Sequence, residues 1–143
     1  MKCNLVFYLA RKTSYCEKAL KKSLMQIDTE LNTICASTSP LMLGEKLTEA
    51  LKTCNLVFII GGLGFSGDNR LSDVLSRALA STKVEIGDVK KLKGANPRVF
   101  GYLIRSGKQL IVALPDNPEE LTAMLSPQLK KYIADMYNLS YSE

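Results

Sequence analysis

The residues best placed to do chemistry form two turns marked by glycine and proline. The first is Gly61-Gly62-Leu63-Gly64-Phe65-Ser66-Gly67-Asp68-Asn69. It follows five apolar residues, Leu56 to Ile60, and precedes Leu71, Val74, Leu75, Ala78 and Leu79 at helical spacing. The apolar run reads as a strand buried on both faces, and the later one as an amphipathic helix reaching about Ala80. A strand, a glycine loop and a helix start in that order make an anion- or nucleotide-binding layout. Glycine lets the backbone approach a ligand, and N–H groups at a helix N-terminus attract negative charge. The candidate ligand-binding residues here are Gly61, Gly62, Leu63, Gly64, Phe65, Ser66 and Asn69. Ser66 brings a hydroxyl. Phe65 brings a ring that either stacks on a flat heterocycle or packs on its own turn. Asp68 is either a helix N-cap or a site acid, and as an acid it is the candidate catalytic residue and Mg²⁺ ligand.

The second turn is Leu114-Pro115-Asp116-Asn117-Pro118-Glu119-Glu120. Asp116 or Asn117 can cap a helix that has Pro118 at its first position and two carboxylates in its first turn. Pro115, Asp116, Asn117 and Glu120 are the candidate ligand-binding residues of this turn, and capping is their plainer use. Lys108 reads as a solvated turn lysine.

Other chemistries are poorly provided for. The chain has no histidine, which removes the Ser-His-Asp triad and the usual acid/base near neutral pH. Cys3, Cys16, Cys35 and Cys54 include no CxxC pair, so a zinc site of the usual Cys/His kind is not expected. They read as reduced thiols acting as small hydrophobes, since no base stands ready to activate one. A net charge of +5 favours phosphate-bearing partners. Nucleic-acid readout is not expected, because no aromatics interleave with the lysines as stacking platforms.

The remaining elements must position these turns. The 143 residues suit one domain, 1–143, and 46% hydrophobic content is enough for one core. No apolar run approaches the roughly 18 residues of a membrane span, and the N-terminus lacks the order of a secretory signal, so a cytoplasmic protein is expected. Leu5 to Leu9 reads as a first strand. Ser14-x-x-Glu17 reads as a capping box opening a helix with Cys16, Ala19, Leu20, Ser23 and Leu24 inward. Asn32 to Ala36 reads as a second strand. Ser39-Pro40 begins a helix with Leu43, Leu47, Ala50 and Leu51 inward. Thr82 to Pro97 is polar and reads mainly as loop. Val99 to Ile104 and Gln109 to Leu114 read as strands joined by a Ser106-Gly107-Lys108 hairpin turn. Ser126-Pro127 opens a last helix carrying Leu129, Ile133 and Met136. Alternating strands and helices imply a three-layer α/β/α sandwich, with a mostly parallel sheet and a late antiparallel hairpin. Ligands of such sheets bind beyond the carboxyl ends of strands, where both turns would face one cleft.

With both turns in order, the sequence resembles the molybdopterin-binding domain of molybdenum-cofactor biosynthesis proteins, in the version found at the N-terminus of the competence/damage-inducible family. That family reads roughly DLVxTTGGLGPTxDD, and Asn55 to Asn69 (NLVFIIGGLGFSGDN) lies in register with it. Its later GF-hairpin, Gly-Lys turn and LPGxPxE motif match Gly101-Tyr102, Gly107-Lys108 and Leu114 to Glu120. The resemblance implies a phosphate-bearing ligand on the GGLG backbone: molybdopterin, its adenylylated form or an adenine nucleotide, with Mg²⁺ as a candidate cofactor. It also implies a homo-oligomer.

The chain departs from the family pattern at several positions. Ile59 and Ile60 replace two threonines, and Asp68-Asn69 keeps one acid of a pair. Ala36-Ser37-Thr38 stands where another acidic pair is expected. Ala10-Arg11-Lys12-Thr13 replaces a glycine-acid loop, and Asp116 replaces the glycine of LPG. Lost acids weaken Mg²⁺-dependent phosphoryl chemistry. Three readings follow: a domain that binds molybdopterin or an adenine nucleotide with its catalysis lost, a non-catalytic scaffold or oligomeric interaction protein keeping only the fold, and a hydrolase of ADP-ribose-like pyrophosphates.

Overall fold

The computed structural model describes residues 1–62, 88–96 and 99–142. Six strands form one sheet: β1 Lys2–Tyr8, β2 Glu30–Ser37, β3 Leu56–Ile60, β4 Asp88–Lys93, β5 Phe100–Ser106 and β6 Gln109–Leu114. Their order is β2-β1-β3-β6-β5-β4. The first four in that order are parallel, and β6, β5 and β4 are antiparallel neighbours. The described helices are α1 Thr13–Met25, α2 Pro40–Thr53, α3 Pro118–Met124 and α4 Pro127–Tyr137. The expected layered fold, a mostly parallel sheet with a late antiparallel hairpin, is what forms.

Alternation along the strands sorts the core into two layers. Leu5 and Phe7 of β1, Phe58 and Ile60 of β3, and Val112 and Leu114 of β6 pack with Cys16, Leu20 and Leu24 of α1, Leu121 of α3 and Ile133 of α4. Val6 and Tyr8, Val57 and Ile59, and Ile111 and Ala113 pack with Leu43, Leu47, Ala50 and Leu51 of α2. The crossover through α1 carries the chain from β1 outward to β2, and the one through α2 carries it back past β1 to β3. Parallel crossovers share one hand, so reversing direction puts the two helices on opposite faces. All five residues of β3 are fully buried, as a central strand covered on both faces requires.

Asn4 is a fully buried polar residue in this core. Its Nδ2 donates to the Ala50 carbonyl (2.9 Å) and to Thr53 Oγ1 (2.7 Å). Its Oδ1 accepts from Thr33 N (3.2 Å) and Thr33 Oγ1 (2.6 Å). One buried amide thus ties β1 to both β2 and the end of α2, next to a register shift in the β1–β2 ladder.

Three local expectations are corrected. Ser14-x-x-Glu17 forms no capping box: Lys12 is the N-cap of α1, in a left-handed conformation with no side-chain cap, and Ser14 is already helical. A capping box needs its hydroxyl residue in extended backbone ahead of the first turn. The stretch expected as loop contains β4, whose sequence Asp88-Val89-Lys90-Lys91-Leu92-Lys93 carries no strong apolar alternation. Among the described residues it pairs only with β5, at a sheet edge where ladder bonds suffice and lysines discourage further pairing. The first strand begins three residues earlier than expected, at Lys2. The helix expected after the first glycine turn lies outside the described residues.

Candidate functional site

Three parallel strands end level with one another. Phe7 pairs with Ile60, and Ile60 with Leu114, so Tyr8 at the end of β1 stands in one row with Gly61 and Pro115 at the carboxyl edge. The chain leaving β1 turns to β2, while the chain leaving β3 next enters the sheet at β4, the opposite edge. A crevice opens where connections diverge in this way.

Two of the three loops are bonded to one another directly, and the third is held by a side chain. Gly61 N donates to the Leu114 carbonyl at 3.0 Å, extending the β3–β6 ladder into both turns. Arg11 N donates to Asp116 Oδ2 at 2.8 Å, fastening the β1–α1 loop to the loop after β6. Asp116, where the family has glycine, is therefore a clasp between loops, and Asn117 is the cap of α3. Asn117 Oδ1 accepts from Glu119 N (3.0 Å) and Glu120 N (3.2 Å). Glu120 turns away toward the segment after β4, where its carboxylate accepts from Asn96 N at 3.0 Å.

The glycines are required by space as well as by conformation. Gly61 and Gly62 have φ of +109° and +74°. A Cβ on Gly61 would overlap the Tyr8 carbonyl oxygen and stand 3.0 Å from Ala10 Cβ. A Cβ on Gly62 would overlap Tyr8 Cδ2 and stand 2.9 Å from Cε2. The loop backbone thus lies directly on the Tyr8 ring, and the smallest side chain would lift it off. Leu9 and Lys12 in the first loop also have positive φ, +48° and +51°, held there without glycine.

Tyr8 is the residue that the sequence reading missed. It is fully buried, and its hydroxyl has no hydrogen-bond partner among the described residues. Burial pushes its phenol above the ordinary value, so it stays protonated and can donate. Its only signal in the sequence was a polar-tipped aromatic closing an apolar strand. Ile59 and Ile60 are fully buried, one in each core layer, so positions that carry hydroxyls in the family pattern here carry packing.

Cys3 and Cys16 are poor nucleophiles in this setting. Burial pushes Cys3 up to about 12. Cys16 is pushed up to about 11, chiefly by burial and then by the Asp116 carboxylate, with Lys12 opposing. All four cysteines are free. Leu63, Gly64, Phe65, Ser66, Asp68 and Asn69 lie outside the described residues. Among the described residues, no helix is long and apolar enough to cross a membrane.

The whole architecture recurs in solved structures. The protein CinA from Thermoplasma acidophilum aligns with a TM-score of 0.67 at 14% identity, over 92% of this chain and 97% of that one. A putative molybdenum cofactor biosynthesis protein from Corynebacterium diphtheriae aligns with a TM-score of 0.69 at 16% identity, over 100% and 99%. The molybdopterin biosynthesis enzyme MoaB from Thermus thermophilus aligns with a TM-score of 0.67 at 15% identity, over 99% of each chain. At such identities the likeness is one of fold. No curated protein matches the sequence. Residues 19–135 match the model described as "Probable molybdopterin binding domain". That match spans most of the chain, from within α1 to within α4, and the chain belongs to this family of molybdopterin-binding domains.

Proposed function

We propose that this protein binds molybdopterin or an adenine nucleotide by its phosphate, at the row of loops that follows β1, β3 and β6. The observation that carries the proposal is the Gly61-Gly62 turn. It has positive φ at both glycines and no room for a Cβ, and it is joined by backbone to the turn after β6. Such a turn leaves backbone with no side chain to hold a ligand off at a sheet edge where connections diverge, which is how folds of this kind meet phosphates. Family membership supports molybdopterin as the ligand, and the net charge of +5 supports an anion.

The residues present fit such a group. Gly61 and Gly62 would lie against the phosphate, Pro115 and Asp116 would form the opposite lip, and Leu63, Gly64, Phe65, Ser66 and Asn69 complete the proposed loop. Asp68 is proposed as its acid and as the Mg²⁺ ligand. A homo-oligomer is proposed from the resemblance and is read by sedimentation.

Calorimetric titration with molybdopterin, AMP and ADP-ribose tests the proposal. Saturable binding of at least one is expected in the micromolar range. No heat and no thermal shift with any of them at millimolar concentration would overturn it.

One observation favours binding without chemistry. Asp116 is committed to Arg11 N, and Ile59 and Ile60 are committed to the core. On this second reading the protein binds its ligand, or serves as a scaffold, without turning anything over. Adenylyl transfer or pyrophosphate hydrolysis with Mg²⁺, lost in Asp68→Ala, would exclude it.

A further inference from the structure

Tyr8 combines three properties that ordinary core packing does not explain. Its side chain is fully buried, its hydroxyl has no partner among the described residues, and its ring edge lies against Gly62. A buried hydroxyl without a partner loses its bonds to water and gains nothing in return. Phenylalanine would fill the same space without that loss, so packing alone does not call for tyrosine. Cδ2 and Cε2 are the ring atoms nearest the space above Gly62, and the hydroxyl is carried on Cζ, the ring atom bonded to Cε2. Tyr8 is also the last residue of β1, in the row of the proposed ligand cleft.

We propose that the Tyr8 hydroxyl is a ligand-contacting group, donating a hydrogen bond to a phosphate oxygen of the ligand held on the Gly61-Gly62 backbone. This rests on the reading of that turn as a phosphate site and adds a residue to it. The free protein holds the donor unsatisfied, and the ligand supplies the missing acceptor. Gly62 is then glycine for two reasons: a side chain would displace the ring, and it would also cover the phenol's route to the ligand. A protonated phenol can donate to an acceptor such as a phosphate oxygen.

The test is Tyr8→Phe, which keeps the ring and removes only the hydroxyl. Molybdopterin and AMP are titrated into wild type and variant, with adenosine as the analogue lacking phosphate, and the free proteins are melted. A hydrogen bond to a charged oxygen predicts affinity lower by about tenfold or more for the phosphate ligand that wild type binds. Adenosine affinity, where measurable, should stay unchanged. The free variant should melt at or above the wild-type temperature, because an unsatisfied group has been removed. Equal affinity of wild type and variant would overturn the role of Tyr8 and leave the phosphate site standing. A lower melting temperature of the free variant would also overturn it, since the hydroxyl would then have a structural partner. Failure of wild type to bind any of the probes would overturn the site and this inference together.

Discussion

Gly62→Ala is the perturbation that tests the geometry of the cleft most directly. At φ +74°, a residue with a Cβ costs about 1–2 kcal/mol. Overlap of that Cβ with Tyr8 Cδ2 adds about 1–3 kcal/mol if the ring must shift within a filled core. Replacing glycine narrows the unfolded ensemble and returns about 0.4–1 kcal/mol. The net expectation is destabilisation by about 2–4 kcal/mol. That is a large part of the ~5–15 kcal/mol typical of a domain, yet it leaves the protein folded at room temperature. The chain has no tryptophan, so urea unfolding is best followed by far-ultraviolet circular dichroism. With a slope near 1–3 kcal/mol per molar, the midpoint should fall by about 1–2 M. Two partner variants separate the causes. In a Tyr8→Phe background the ring edge remains, so the cost of Gly62→Ala should be the same. In a Tyr8→Leu background the overlap disappears, and the double variant should be about 1–3 kcal/mol more stable than the sum of the single effects predicts. A Gly62→Ala protein within about 0.5 kcal/mol of wild type, or strict additivity with Tyr8→Leu, would refute the claim that the ring fills the space above this glycine.

Asn4→Ala removes a buried amide and strands its partners on Thr33 and Thr53, so a loss of about 3 kcal/mol is expected in the same unfolding assay. Asn117→Ala should cost about 1 kcal/mol by uncapping α3, and Asp116→Ala should leave that cap intact while loosening the loop at Arg11, seen as faster amide exchange there. In the native protein at pH 8, Cys3 and Cys16 should not react with Ellman's reagent, whereas all four thiols should react in denaturant. Tyr137 donates to the Lys108 carbonyl at 2.7 Å, and burial pushes its phenol up to about 12. The unfolded chain therefore releases this proton first, and the contribution is whole below pH 10 and lost as pH rises toward 12. Urea midpoints should fall across that window, and less steeply in Tyr137→Phe.

Much of the scaffold was legible because it follows from short-range rules. Leu56–Ile60 read as a doubly buried strand, and it is one residue for residue. Ser39-Pro40 and Ser126-Pro127 read as helix starts, and both serine hydroxyls accept the expected backbone N–H bonds at 3.2 Å. The inward stripe of α2 follows from 3.6-residue periodicity. The errors share a cause. β4 has almost no pattern of its own, because its hydrogen bonds and its place are supplied by β5. Ser14-x-x-Glu17 has the letters of a capping box, but the chain enters α1 through a left-handed Lys12, two residues ahead of the motif's serine.

The sequence by itself determined the order of elements, the glycine turn after β3 and the family pattern in which it stands. These depend on residue type and spacing along the chain. Only the tertiary structure decided which loops meet. The register Phe7–Ile60–Leu114 brings residues from three distant segments into one row, and no local rule encodes that alignment. It set Asp116 against Arg11 N and Glu120 against Asn96 N, two bonds across distant segments. It also placed the Tyr8 ring beneath Gly62 with its hydroxyl unpaired among the described residues, because whether a buried polar atom is satisfied depends on every element packed around it.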